Sequence, residues 1–136
     1  MEYVPTQSTG NNPDMLVLFD KESFIKRMGN RGFVLSILED SLKLLPEYLE
    51  TLRNMYSEGN MEAIYFQAHK LKGMVANINA DALRNICFEV ENAAKEGDEK
   101  TVSELFPILD QIALLTVAEL SSSIKNWNIG AGNCKA

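Results

Sequence analysis

The sequence predicts an all-α protein: an antiparallel up-and-down four-helix bundle with a short extra N-terminal helix. Three observations lead there. Apolar residues recur at three- and four-residue steps through four long segments, and no stretch alternates apolar with polar residues as a half-buried strand would. Each segment is bounded by capping residues, glycine or a tight turn. The connections are short, which favours antiparallel neighbours.

The first helix is expected from about Lys21 to Met28, capped by Asp20 and stopped by Gly29. It is too short to be a full member of the bundle and should pack across one end. The second runs from about Gly32 to Ser57, with Val34, Ile37, Leu38, Leu42, Leu45, Leu49 and Leu52 on its apolar side and a kink expected at Pro46. Asn60 caps the third, from about Met61 to Ile78. "NINAD" forms a tight turn, and Asp81 is expected to cap the fourth, about Ala82 to Glu96. Gly97 ends it, and Asp98 or Thr101 opens the fifth, which reaches about Asn126 with a bend at Pro107.

This gives a flexible lead-in over 1–14, polar and rich in Asn, Thr, Ser, Pro and Gly, the bundle over 15–127 and a flexible tail of similar character over 128–136. A length of 136 residues suits one domain, and 46% hydrophobic residues suit a packed core. A net charge of −6 argues against a nucleic-acid partner. No uninterrupted apolar run approaches the ~20 residues of a membrane span, and the start lacks the basic and apolar regions of a signal peptide. Two cysteines, Cys87 and Cys134, make no disulfide framework, so reduced thiols and a cytoplasmic setting are expected.

"FQAHKLKGM", residues 66–74, holds the single histidine of the chain and a glycine in mid-helix. Glycine there costs roughly 1 kcal/mol relative to alanine. Ile64, Ala68, Leu71, Val75 and Ile78 form the apolar stripe of this helix. His69 lies about 100° round from Ala68 and about 160° from Leu71, so it points outward. A plain surface histidine is the ordinary alternative. The neighbours argue otherwise: Lys72 at i+3 can reach the ring, Lys70 adds a long cationic arm, and Gly73 at i+4 clears space for an approaching group. A nucleophile-capable ring, a cation and open space suit acceptance of an anionic group.

If the following turn centres near Ala80, His69 lies eleven residues before it and Glu91 eleven after. The two then stand at the same height in a helical hairpin. Glu91 lies beside the fourth helix's core stripe of Leu83, Ile86, Cys87, Val90 and Ala94. It can therefore accept a proton from one ring nitrogen and leave the other as nucleophile. Lys95 lies one turn further on, and a solvated Glu91–Lys95 ion pair is the alternative.

"AHKLKGMVANINADALRNICFEVE" resembles the signature of histidine-containing phosphotransfer (HPt) domains, and the likeness extends over roughly Leu18 to Glu119. The resemblance implies an exposed histidine on a four-helix bundle that takes a phosphoryl group from a receiver-domain aspartate and passes it to another. His69 would be the phosphorylated residue, Lys72 the lysine that steadies the phosphate, and Gly73 the glycine that clears space. Glu91 would stand where the family often has glutamine bonded to the ring. Met74 and Asn79 depart from the small residue and the glycine often found there, and asparagine still tolerates a left-handed turn.

The expected partners are response-regulator receiver domains, with a hybrid sensor kinase as a further candidate, met by a monomer without nucleic acid or membrane insertion. Phe66, Phe88, Ile25 and Met28 are the candidate docking residues. No nucleotide-binding loop and no carboxylate cluster for magnesium is visible, so no cofactor is expected, any Mg²⁺ belongs to the receiver, and the chain is read as a phosphocarrier without kinase activity of its own. The alternative is an unphosphorylated, receiver-binding adaptor on the same bundle.

Overall fold

The computed structural model describes the backbone of residues 17–134 and the side chains of residues 17–127. Among the described residues five helices follow one another: α1 (Lys21–Met28), α2 (Arg31–Glu58), α3 (Met61–Ala76), α4 (Asp81–Lys95) and α5 (Glu99–Cys134). No strand occurs among the described residues. α2 to α5 each pack against their chain neighbours, and α2 closes the ring against α5.

Local chemistry sets most of the boundaries. Asp20 accepts from the Ser23 N–H at 3.2 Å and Gly29 turns left-handed at φ 77°, which gives α1 the expected limits. Asn30 and Asn60 accept from the N–H groups of Phe33 and Ala63, at 2.8 and 3.1 Å, and so open α2 and α3. At α5, Asp98 Oδ1 accepts from the Thr101 N–H and its Oδ2 from the Thr101 hydroxyl.

The α3–α4 turn corrects two expectations. α3 stops at Ala76, because Asn77 to Ala80 turn with Asn79 at φ 58°, the left-handed conformation that asparagine tolerates. Asp81 is not the cap of α4; Ala80 holds that position without a side-chain bond. The Ala82 N–H donates instead to the Val17 carbonyl at 2.8 Å, so the incoming chain supplies the acceptor. Asp81 begins the helix, and its carboxyl sits above the usual range because burial and the nearby Asp20 outweigh Arg84. α1 is fastened to the same end of the bundle: Arg27 donates to the Asn77 carbonyl and to Asn79 Oδ1, both at 2.7 Å, and the Asp20 N–H donates to the Asn79 carbonyl. Fully buried Phe24 anchors α1 below these bonds.

The core follows the sequence stripes. Ile64, Ala68, Leu71, Val75 and Ile78 are buried, as are Leu83, Ile86, Cys87, Val90 and Ala94 opposite them. On α2, Val34, Leu38, Leu45, Leu49 and Leu52 are buried, whereas Ile37 and Leu42 are half-buried at its flanks. α2 and α5 run as single helices through Pro46 and Pro107. α5 continues past Asn126 to Cys134, beyond the expected helix end. Buried Trp127 lies just past the expected end, with Lys21 Nζ and the Arg31 guanidinium 5.0 and 4.5 Å from its ring. The lead-in over 1–14 lies outside the described residues.

Among the described residues one helix, α5, is long and apolar enough by composition over Glu99–Trp127 to cross a membrane, with mean hydropathy 1.4 over its most apolar stretch. In this fold its apolar stripe of Val102, Leu109, Ala113 and Leu120 packs into the bundle.

Candidate functional site

His69 projects from the middle of α3 with 60% of its side chain exposed. The ring leans at 6.4 Å from that of Tyr65, one turn earlier. Glu91, on α4, stands level with it, and the ring Nδ1 is 2.8 Å from Glu91 Oε2. Burial raises the Glu91 carboxyl, but hydrogen bonds and charge from Lys72 and His69 outweigh it and hold the group below its ordinary range. An ionised carboxylate only accepts, so Nδ1 carries the proton and donates. In the neutral form of the ring Nε2 is then the lone-pair nitrogen, and among the described residues no group bonds it.

Lys72 does not lie across the imidazole edge. It arches toward α4, where Nζ meets Glu91 Oε1 at 2.8 Å and sits 5.1 Å from the centre of the Phe88 ring. The sequence contained the signal for this contact. Lys72 lies eight residues before Ala80 and Phe88 eight after, so the count that levels His69 with Glu91 also levels Lys72 with Phe88. Glu91 itself is buried at 7% exposure, deeper than its place beside the core stripe suggested, because the lysine and histidine cover it. Two cationic or N–H partners make that burial tolerable.

Gly73 lies beside the ring, and a Cβ built there meets nothing within 4 Å. The glycine is thus not required by packing inside the protein. Cys87, one turn before Glu91, is fully buried beneath the site; burial first, then the charge of Glu91, push its thiol up, against a lowering by Lys72. That thiol stays protonated.

Not every expected residue joins the group. Lys70 turns to the α2 side, with Nζ 5.4 Å from the Tyr48 ring. Lys95 stays exposed one turn beyond Glu91, whose ionic partners are His69 and Lys72. Phe66 is 61% exposed and Phe88 38%, flanking the ring from α3 and α4. Ile25 and Met28 on α1 are half-buried against the core. Among the described residues no group of three or more His, Cys, Asp or Glu is placed to hold a metal ion. A groove between α2 and α5, lined by Pro46, Leu49, Arg53, Leu114 and Val117, includes none of the site residues.

With this geometry in place, comparison with known proteins is informative. The family model described as the Hpt domain matches residues 36–123, which contain α3, α4 and the His69 site. The chain is 23% identical over 119 residues to the phosphorelay intermediate protein rdeA of Dictyostelium discoideum, covering 88% of this chain and 45% of that protein. It thus spans less than half the length of that relative. The fold is similar to the crystal structure of histidine-containing phosphotransfer protein B of Pseudomonas aeruginosa PAO1, with a TM-score of 0.73 at 18% identity over 80% of this chain and 96% of that one.

Proposed function

Because the chain belongs to the Hpt domain family, we propose that it is a phosphorelay carrier whose His69 accepts a phosphoryl group from a receiver aspartate and yields it to another. The observation that carries this reading is the orientation of the ring. Nδ1–H is held by Glu91 at 2.8 Å, which leaves Nε2 to meet an incoming group, with Lys72 and Gly73 one helical turn further along α3. Nε2 attacks phosphorus in line with the acyl phosphate oxygen, the P–O bond breaks, and the receiver carboxylate leaves. The return step reverses these roles. Lys72 supplies positive charge to the phosphoryl oxygens, and Phe66 and Phe88 form an apolar border against which a receiver docks, with Ile25 and Met28 extending it. A cytoplasmic setting and a monomeric carrier belong to the same proposal.

The test is to incubate the chain with phosphorylated receiver domains. Wild-type protein should acquire acid-labile, base-stable phosphate. His69→Gln should acquire none while retaining its helix content. Histidine-type phosphate in that variant would remove the site assignment. Receiver binding with no phosphate on the wild type would leave an adaptor instead.

A further inference from the structure

Glu91 serves two partners with separate oxygens. Oε2 accepts the Nδ1–H of His69 and Oε1 meets Lys72 Nζ, each at 2.8 Å. In the resting site one buried carboxylate is shared between a lysine and the ring Nδ1–H. Phosphorylation changes the balance in a defined way. The Nε2 lone pair forms the new N–P bond, the donor's bond to phosphorus breaks with its electron pair, and Nδ1 keeps its proton. The product is an imidazolium bearing a phosphoryl dianion. Positive charge now lies against Oε2, and negative charge lies outward, where Gly73 leaves open space.

Lys72 then has a better partner than a shared carboxylate. We propose that Glu91 changes partner on phosphorylation, releasing Lys72 to the phosphoryl group while it holds the Nδ1 proton of the phosphorylated ring. The idea rests on the phosphocarrier reading for the identity of the modified residue. Its consequence is chemical. With Nδ1 protonated, cleavage of the N–P bond expels neutral imidazole; without that proton it must expel imidazolate, a far poorer leaving group. The carboxylate thus keeps the bound group in its transferable form. An amide at this position accepts the same hydrogen bond but brings no charge. Glu91 is therefore a positioning residue that acts through the ring.

The titratable groups around the ring are Tyr65, Lys70 and Lys72 on α3, and Cys87, Glu91 and Lys95 on α4. Lys70 is turned to Tyr48, Lys95 is exposed a turn away, and the Cys87 thiol is buried and neutral. Of this set, Glu91 is the anion in contact with Nδ1.

Phosphoramidate tests this without any receiver, since it phosphorylates exposed imidazole with loss of ammonia. Wild type and Glu91→Gln, both checked for helix content, would be phosphorylated and titrated by ³¹P and ring ¹⁵N NMR. The phosphorylated ring of the wild type should lose its proton about one pH unit or more above that of Glu91→Gln. The pH profile of phosphate hydrolysis should move by the same amount, and the Lys72 Nζ resonance should shift on phosphorylation of the wild type. If Glu91→Gln fails to fold, Glu91→Asp replaces it and should give an intermediate midpoint. Coincident midpoints overturn the proposal, as does failure of phosphoramidate to modify His69. A shifted midpoint in protein that no phosphorylated receiver can load sustains the partner exchange and overturns the relay reading. Loading by receivers with coincident midpoints does the reverse.

Discussion

Gly73 and Phe88 carry the sharpest expectations for single residues. Gly73 is helical, exposed and free of neighbours around a built Cβ, so Gly73→Ala should raise stability by roughly 0.5–1 kcal/mol in a denaturant titration. The same methyl should slow phosphotransfer, because it projects into the space a donor must enter. Faster or equal transfer would show that the space is not used. Phe88 is 38% exposed with Lys72 over its ring. Phe88→Ser should weaken receiver binding and cost well under the ~3–5 kcal/mol of deleting a fully buried phenylalanine. A large fall in melting temperature with unchanged affinity per folded molecule would make it a packing residue. His69, Glu91 and Gly73 were legible in the sequence because helical geometry fixes their relative angles and heights. The same count levels Lys72 with Phe88, but which partner its long flexible side chain takes was not fixed by that count.

Among the elements, the α3–α4 turn sets the height of the two site helices. Asn79 adopts φ 58°, receives Arg27 on its side chain and receives the Asp20 N–H on its carbonyl. Asn79→Ala should lose both conformational tolerance and the Arg27 bond, at roughly 1–2 kcal/mol. Asn79→Gly should lose less, since glycine takes the turn freely. Equal losses in thermal melts would mean that the Arg27 bond, not the backbone, dominates. The helices were readable from periodicity and from Asp20, Asn30, Asn60 and Asp98. The α4 start was misread because its acceptor is Val17, remote in sequence, and no local pattern reveals it. α5 also runs past its expected end near Asn126, where Trp127 is buried under Lys21 and Arg31, partners remote in sequence that no local pattern reveals.

For the whole molecule, the site and the core are one structure. The carboxylate of Glu91 is buried between α3 and α4, and its proton affinity is lowered in the folded state. A group depressed in this way contributes stability above its unfolded value, about 4.3, and loses it as pH falls through the folded value. Glu91→Gln should therefore be less stable than wild type at neutral pH, with the gap closing as the pH drops below about 4 in urea titrations. A gap that stays constant across that range would place the effect in packing rather than charge.

Cys87 turns the floor of the site into a stopwatch. Its thiol is closed off from solvent directly below Glu91 and held protonated, so no alkylating reagent reaches it while α3 and α4 stay together. In a Cys134→Ser background, the rate at which Cys87 is alkylated records how often the bundle parts beneath the histidine. That clock should run slower once the site is phosphorylated if the added charges tighten α3 against α4, and faster if they pry the helices apart.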